Sequence, residues 1–334
     1  MMKYGIRGRA RWLGAASAIG LLAAAGAATA EVPNDNFNPN APPVLADPDA
    51  INGIGNIITD TGGGSVGVCT GSLINPRTVL FAAHCVNDIP DFAYGSMGLG
   101  VPISVGFKGD AFDGILNWIT SGDYATSYLD QHYNMSRVLY DPRSTQDAVG
   151  GGFYEADVAL GVLDSPARGV PTWAMLFSPL TGEEDRHVIT GGYGRSGTGS
   201  LGDVQGIDFR RRAAENMIGA LASLDDIDLF LFGDGAQGGL GQNLYLVDFD
   251  DPAGTATFDF NIFGDDVALP NEGMTAGGDS GGPLILDRAF DMPVIAAVLS
   301  LGTRYFAGQP TASYGTTAGY QPLYLFTDWK IGRA

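Results

Sequence analysis

The chain has 334 residues, 45% hydrophobic and 16% charged, which is ample for one large domain or two packed subdomains and too apolar for a disordered chain. Its 37 acids against 18 Lys and Arg give a net charge of −19, which excludes nucleic acid and anionic lipid surfaces as partners held by bulk electrostatics. With 50 glycines, 18 prolines and few stretches of helical period, the composition favours many short strands joined by turns.

Residues 1–30 stand apart. Lys3, Arg7, Arg9 and Arg11 form a basic segment, an apolar run extends from Trp12 to about Ala28, and Ala28-Thr29-Ala30 is a small-x-small cleavage site. This is the pattern of a secretory signal peptide. The run is short and rich in Ala and Gly, unlike a membrane anchor, and no later stretch is long and apolar enough to span a bilayer. The processed chain is expected to be secreted, periplasmic or at the cell surface. It keeps 14 Lys and Arg against 37 acids, a net of −23. Cys69 and Cys85 are the two cysteines, and export predicts that they pair as one disulfide. Two cysteines without a Cys-x-x-Cys spacing make no zinc site, so no metal and no cofactor is expected.

Residues 31–50 hold Pro33, Pro39, Pro42, Pro43 and Pro48 among Asn and Asp, and read as a linker or propeptide. The folded domain is expected over 51–331, opening with the strand-like run from Ile51 to Ile58. From Val66 to Cys85, two β-rich runs flank the turn Asn75-Pro76-Arg77, a hairpin whose second strand delivers His84 beside Cys85. A Cys69–Cys85 bond would fix that imidazole near the rim of the sheet. The other histidines, His132 and His187, sit in unremarkable polar contexts. Residues 86–150 read as long loops and short strands. Asp157 then heads the apolar run from Val158 to Leu163. It reads equally as an edge carboxylate or as an acid that orients a histidine through Nδ1–H.

Gly192, Gly194 and Gly197 spell G-x-G-x-x-G after a strand, but the residues that follow start no helix, which excludes a dinucleotide site. Residues 208–232 resist assignment. Within them Arg210, Arg211 and Arg212 are expected to pair with carboxylates in so acidic a chain. Asp248, Asp250, Asp251, Asp259, Asp265 and Asp266 fit no EF-hand spacing and read as a solvated acidic loop. Next comes Gly277-Gly278-Asp279-Ser280-Gly281-Gly282-Pro283. A serine is a weak nucleophile without a base and a site for the oxyanion, and flanking glycines let the N–H groups of Gly278 and Ser280 turn toward one point. A buried strand from Val294 to Gly302 and a short terminal helix from Tyr324 to Ile331 complete the chain.

These motifs resemble the trypsin-like (chymotrypsin-fold) serine peptidases. Cys-Thr-Gly-Ser-Leu-Ile (69–74) with Ala-Ala-His-Cys (82–85), Asp-Val-Ala-Leu (157–160) and Gly-Asp-Ser-Gly-Gly-Pro (278–283) occur in the family's His…Asp…Ser order. In particular the chain is similar to bacterial exported members, some of them autotransporter passengers, though it is too short to hold a membrane barrel as well. The resemblance implies an all-β fold: two antiparallel six-stranded barrels, about 51–170 and 171–331, with the site in the crevice between them. It implies His84 as general base, Asp157 as its orienting acid, Ser280 as nucleophile, and the Gly278 and Ser280 N–H groups as oxyanion hole. Cys69 and Cys85 match the family's histidine-loop disulfide. Met274 falls where trypsin has its specificity aspartate, and Ser300-Leu301-Gly302 matches the substrate-binding Ser-Trp-Gly with Leu for Trp.

A pocket floored by Met274 offers nothing to Lys or Arg, so the resemblance implies a preference for a small or medium apolar side chain. Asp279 matches the acid that captures a new N-terminal ammonium, with Ala50–Ile51 as the expected cut. The expected activity is secreted serine endopeptidase, its partners a polypeptide substrate and protein inhibitors. A catalytically inactive adhesin or binding module on the same fold is the alternative. An α/β-hydrolase esterase is disfavoured, because Pro283 and a strand follow the serine where that fold needs a helix.

Overall fold

Short apolar runs ended by turns build two β-structures here. The computed structural model describes residues 31–36, 51–95, 100–145, 155–182, 185–233, 241–259, 263 and 267–329. Residues 1–30, read as a signal segment, and residues 37–50 lie outside these. Strand β1 (Val32–Pro33) is followed by β2 (Ile54–Gly62), β3 (Ser65–Asn75), β4 (Thr78–Phe81), β5 (Ile103–Gly106), β6 (His132–Tyr140) and β7 (Ala159–Leu163). Strands β2 to β7 close an antiparallel barrel in the order β2-β3-β4-β7-β6-β5. The expected hairpin is β3–β4, its turn set by Asn75 Oδ1 accepting the Arg77 N–H at 2.9 Å.

The second half holds β8 (His187–Gly192), β9 (Arg195–Thr198), β10 (Gly202–Ile207), β11 (Arg212–Met217), β12 (Ala220–Ala222), β13 (Leu244–Asp248), β14 (Gly273–Met274), β15 (Pro283–Leu286), β16 (Val294–Thr303) and β17 (Thr317–Pro322). One sheet runs β11-β8-β15-β16-β17-β13-β12. Its two edges are parts of one bent run, 212–222. At the bend the Ile218 N–H donates to Arg186 O and the Gly219 N–H to Leu246 O. The second half is therefore a seven-stranded sheet, where six strands were expected, and the chain that links its edges brings them together.

Strand alternation places the cores. In β4, Val79 and Phe81 point into the first barrel with Ile57, Val105 and Met135, while Leu80 points out. In β15, Leu284 and Leu286 fill the core of the second half beside Tyr245, Val247 and Tyr320, while Ile285 points out. Leu80, Val158, Leu160, Ile285, Ile295 and Val298 meet in a third cluster, the seam between the halves. Each strand at the seam therefore buries both faces.

Several readings change. Residues 86–150 contain α1 (Phe112–Thr120), whose Ile115 and Trp118 are buried against Ile58 and Tyr193. Residues 208–232 resolve into β11, β12 and α2 (Leu224–Phe232). A capping box between Ser223 and Asp226 starts α2, and Gly233 at φ +74 ends it. The terminal helix is a single 3₁₀ turn, Leu323–Phe326, while 330–334 lie outside the described residues. The acidic stretch is not a solvated loop throughout, since Asp248 ends β13 and both Asp248 and Asp250 are buried. Asp265 and Asp266 lie outside the described residues. Of the arginine triplet, Arg210 pairs with Asp110 and Arg212 with Asp208, whereas buried Arg211 donates to the Ile54 and Phe107 carbonyls.

Candidate active site

β4 delivers His84. After Phe81 the chain stays extended at Ala82 and folds into one 3₁₀ turn, Ala83–Cys85, tied back to β3 by the Cys69–Cys85 disulfide. Asp157 clamps this turn twice. Its Oδ1 accepts the His84 backbone N–H at 2.7 Å, and its Oδ2 accepts His84 Nδ1–H at 2.7 Å. Ser300 Oγ donates to the same Oδ2 at 2.6 Å. Asp157 is 1% exposed, so these three donors replace the water its charge has lost.

Burial pulls the His84 pKa down, and the Asp157 charge and hydrogen bond more than offset it, so the imidazole titrates above its ordinary 6.5. With Nδ1 committed to Asp157, the free lone pair is on Nε2, at the opposite edge of a ring that is 25% exposed.

Ser280 sits on a turn that both halves hold. The Gly281 N–H donates to Leu299 O at 2.9 Å and Leu299 N–H to Gly282 O at 2.8 Å, on the side of β16. From the first barrel, Thr70 N–H donates to Ser280 O at 2.8 Å and Thr70 Oγ1 to Gly278 O at 3.1 Å. Gly281, at φ +83, must be glycine: a Cβ there would lie 2.4 Å from Thr70 O and 2.7 Å from Ala82 N. That closeness lays the turn against the residues that carry His84. Along the turn, the Asp279 N–H goes to Ala276 O and the Gly282 N–H to Asp279 O. Among the described residues the Gly278 and Ser280 N–H groups have no protein acceptor, as an oxyanion site requires. Ser280 Oγ and His84 are not hydrogen-bonded to each other; such links often close only around substrate.

Asp279 is fully buried and carries the turn from below. Its Oδ2 accepts the Ala276 N–H at 2.9 Å, its Oδ1 the Gly194 N–H at 2.7 Å, and the carboxylate also takes the Glu31 backbone N–H. Gly192 and Gly194 of the rejected nucleotide motif pack on this carboxylate; a Cβ on Gly192 would lie 2.1 Å from Asp279 Oδ1. Burial pushes the Asp279 carboxyl above the usual range despite those donors. Ile51, at the expected cut, is not the residue that donates to this carboxylate. It is buried in the seam, and the donor comes from Glu31. Glu31 is itself 0% exposed, with Ser196 Oγ donating to its carbonyl. Val32 next to it pairs with Met274 in a β1–β14 ladder, so the start of the stretch read as linker or propeptide is part of the fold.

The substrate-binding expectations converge on one crevice of about 390 Å³. Met274, Ser300, Leu301, Gly302 and Ser280 all line it, with Thr275, Thr303, Arg304 and Thr317 adding polar groups. Sequence reasoning missed the Ser300 contact with Asp157, which arises from a β-bulge: Leu299 faces Tyr320 and Leu301 faces Gly319, leaving Ser300 unpaired between them. It also missed Thr70 and Glu31, which carry no local signal. His132 and His187 are buried elsewhere. His132 bonds Ser104 Oγ, and burial lowers it to about 4; His187 Nδ1 lies 2.6 Å from Asp287 Oδ1. Cys69, His84 and Cys85 cluster closely enough to suggest a metal, but both sulfurs are spent in the disulfide and leave one imidazole.

Residues 57–210 match the family model described as Trypsin. The match takes in His84 and Asp157 and ends before Ser280. Among solved structures the chain is similar to mouse neuropsin, described as a serine protease expressed in the limbic system of mouse brain. Identity is 17%, coverage 86% of this chain and 96% of that one, and the TM-score 0.50, a likeness of fold. None of the curated proteins matches the chain. The family model covers somewhat under half of the chain, and the structural likeness is one of fold.

Proposed function

We propose that this chain is a secreted serine endopeptidase working through His84, Asp157 and Ser280. The observation that carries the reading is the double clamp of Asp157 on His84, made where the Ser280 turn docks against the same strand. Ser280 Oγ attacks the scissile carbonyl while His84 Nε2 takes its proton, and Asp157 stabilises the imidazolium that forms. The carbonyl oxygen, now an anion, accepts the Gly278 and Ser280 N–H groups. His84 then protonates the leaving amine and an acyl-Ser280 remains. Water, deprotonated by His84, attacks the acyl carbon; the acid product leaves and Ser280 regains its proton.

Met274 in the crevice lining supports cleavage after small or medium apolar residues, and the carboxylate on that lining, Asp203, is already paired with Arg195. Cleavage mainly after Lys or Arg in a peptide library would sink that specificity. Activation belongs to Glu31. Ala28-Thr29-Ala30 is the expected signal-cleavage site, so processing there makes the buried Glu31 nitrogen an ammonium against Asp279. Polypeptide substrates, protein inhibitors and a place outside the cytoplasm follow from the same reading, as does kinship with exported bacterial peptidases. The test is labelling by a fluorophosphonate probe, which should modify wild type at Ser280 and neither Ser280→Ala nor His84→Ala. A folded, processed wild type that stays unlabelled would hand the chain to the binding-module alternative.

A further inference from the structure

Behind Asp157 runs a chain of side-chain amides. The Ala156 N–H donates to Gln242 Oε1 at 2.8 Å, Gln242 Nε2 to Gln321 Oε1, Gln321 Nε2 to Ser300 Oγ at 3.5 Å, and Ser300 Oγ to Asp157 Oδ2 at 2.6 Å. The path leaves the backbone at residue 156 and returns to the side chain of residue 157. Its direction is fixed at both ends, because a backbone N–H can only donate and the carboxylate can only accept. Each amide must therefore present its oxygen toward Ala156 and its NH₂ toward Asp157.

The loop spans separate elements. Gln321 is buried on β17, Ser300 is the bulged residue of β16, and Gln242 precedes β13. Asp157 itself occupies a tight turn, with Ala156 at φ +56 and the Val158 N–H on Ala156 O at 2.7 Å. An alanine at that φ is held there by its surroundings, and Gln242 is the partner that holds its N–H.

We propose that Gln242 and Gln321 are positioning residues of the active site. They fix the tight turn from one side and aim the Ser300 hydroxyl from the other, so that Asp157 Oδ2 stays on His84 Nδ1. Aligned donors polarise one another, so the pull on Asp157 belongs to the whole chain of bonds. The idea rests on His84 and Ser280 being the reacting pair.

Gln321→Leu and Gln242→Leu, singly and together, test it in the processed protein. Each single variant should lower kcat on a peptide ester about fivefold with KM nearly unchanged, the scale of one neutral hydrogen bond felt at the transition state. The double variant should lose no more than the worse single one, because one cut already opens the chain. The downfield proton signal of His84 Nδ1–H should shift in every variant. Multiplicative losses in the double variant, or folded variants with unchanged kcat and an unmoved His84 signal, overturn the proposal. The proton signal needs no turnover. A wild type without activity whose His84 signal moves in the variants would fail the peptidase reading and leave the positioning network standing.

Discussion

Extending the chain by two residues before Glu31 should silence it. Glu31 is completely buried, its backbone N–H bonds a fully buried Asp279, and its own carboxylate adds a second acid next to that one. Burial first, and then the Asp279 charge, push the Glu31 carboxyl well above its usual range. A free ammonium at this nitrogen brings positive charge to both acids. An extended chain brings only a neutral N–H and must also find room for the added residues. Breaking a buried ion pair costs about 3–5 kcal/mol; because one N–H remains, the low end of about 3 kcal/mol applies. That is roughly a hundredfold fewer molecules with the Ser280 turn in place. The assay is the second-order rate of fluorophosphonate labelling for a chain cut to begin at Glu31 beside one beginning two alanines earlier. An extended chain labelling within about threefold of the cut one would refute the argument.

Asp157→Asn should drop turnover by about four orders of magnitude while leaving the fold intact, read from steady-state kinetics and circular dichroism. The His84 pKa lies above 6.5, and the base must be neutral to act, so kcat/KM should rise through a midpoint above 6.5 in a pH profile. The same raised value means that His84 stabilises the fold fully below pH 6.5 and loses that contribution as pH climbs through the folded midpoint, which Tm against pH would show. Gly281→Ala puts a Cβ 2.4 Å from Thr70 O at φ +83 and should abolish labelling, checked by the same probe on folded protein. Replacing both cysteines by serine opens a disulfide between residues 16 apart and should cost about 3 kcal/mol, measured as a lower midpoint in urea.

The three candidate residues stand out in the sequence because each sits in a contiguous motif with its own backbone logic. His84 follows a hairpin strand, Asp157 heads another, and Ser280 lies among glycines that its turn needs. The hairpin, the disulfide and the lack of a helix after Gly197 were legible for the same local reason. What escaped depends on distant partners. Glu31 lies among prolines that read as a linker, and its role exists only because Asp279 arrives from far along the chain. Ser300 reaches Asp157 through a bulge that no residue announces. Helix α1 had a visible signal in Phe112, Ile115, Trp118 and Ile119, diluted by Gly114 and β-branched residues; α2 had one in Ser223, Asp226 and Gly233. Asp248 reads as a solvated group because composition alone does not tell a strand's buried end from a loop.

Thr70 gives the molecule a mechanical fuse. It belongs to one half, yet its N–H and its O–H both donate to carbonyls of the Ser280 turn of the other. Its hydroxyl also accepts the Tyr193 N–H, binding a second loop to the same stitch. Slippage along the seam would tear these bonds before either half opened, because each half keeps its own strand ladder. Heat, denaturant or a bulky ligand wedged between the halves would then strike chemistry ahead of structure. Probe reactivity should vanish while the β-sheet signal is still whole, which makes the candidate site the most sensitive gauge of how the two halves are seated.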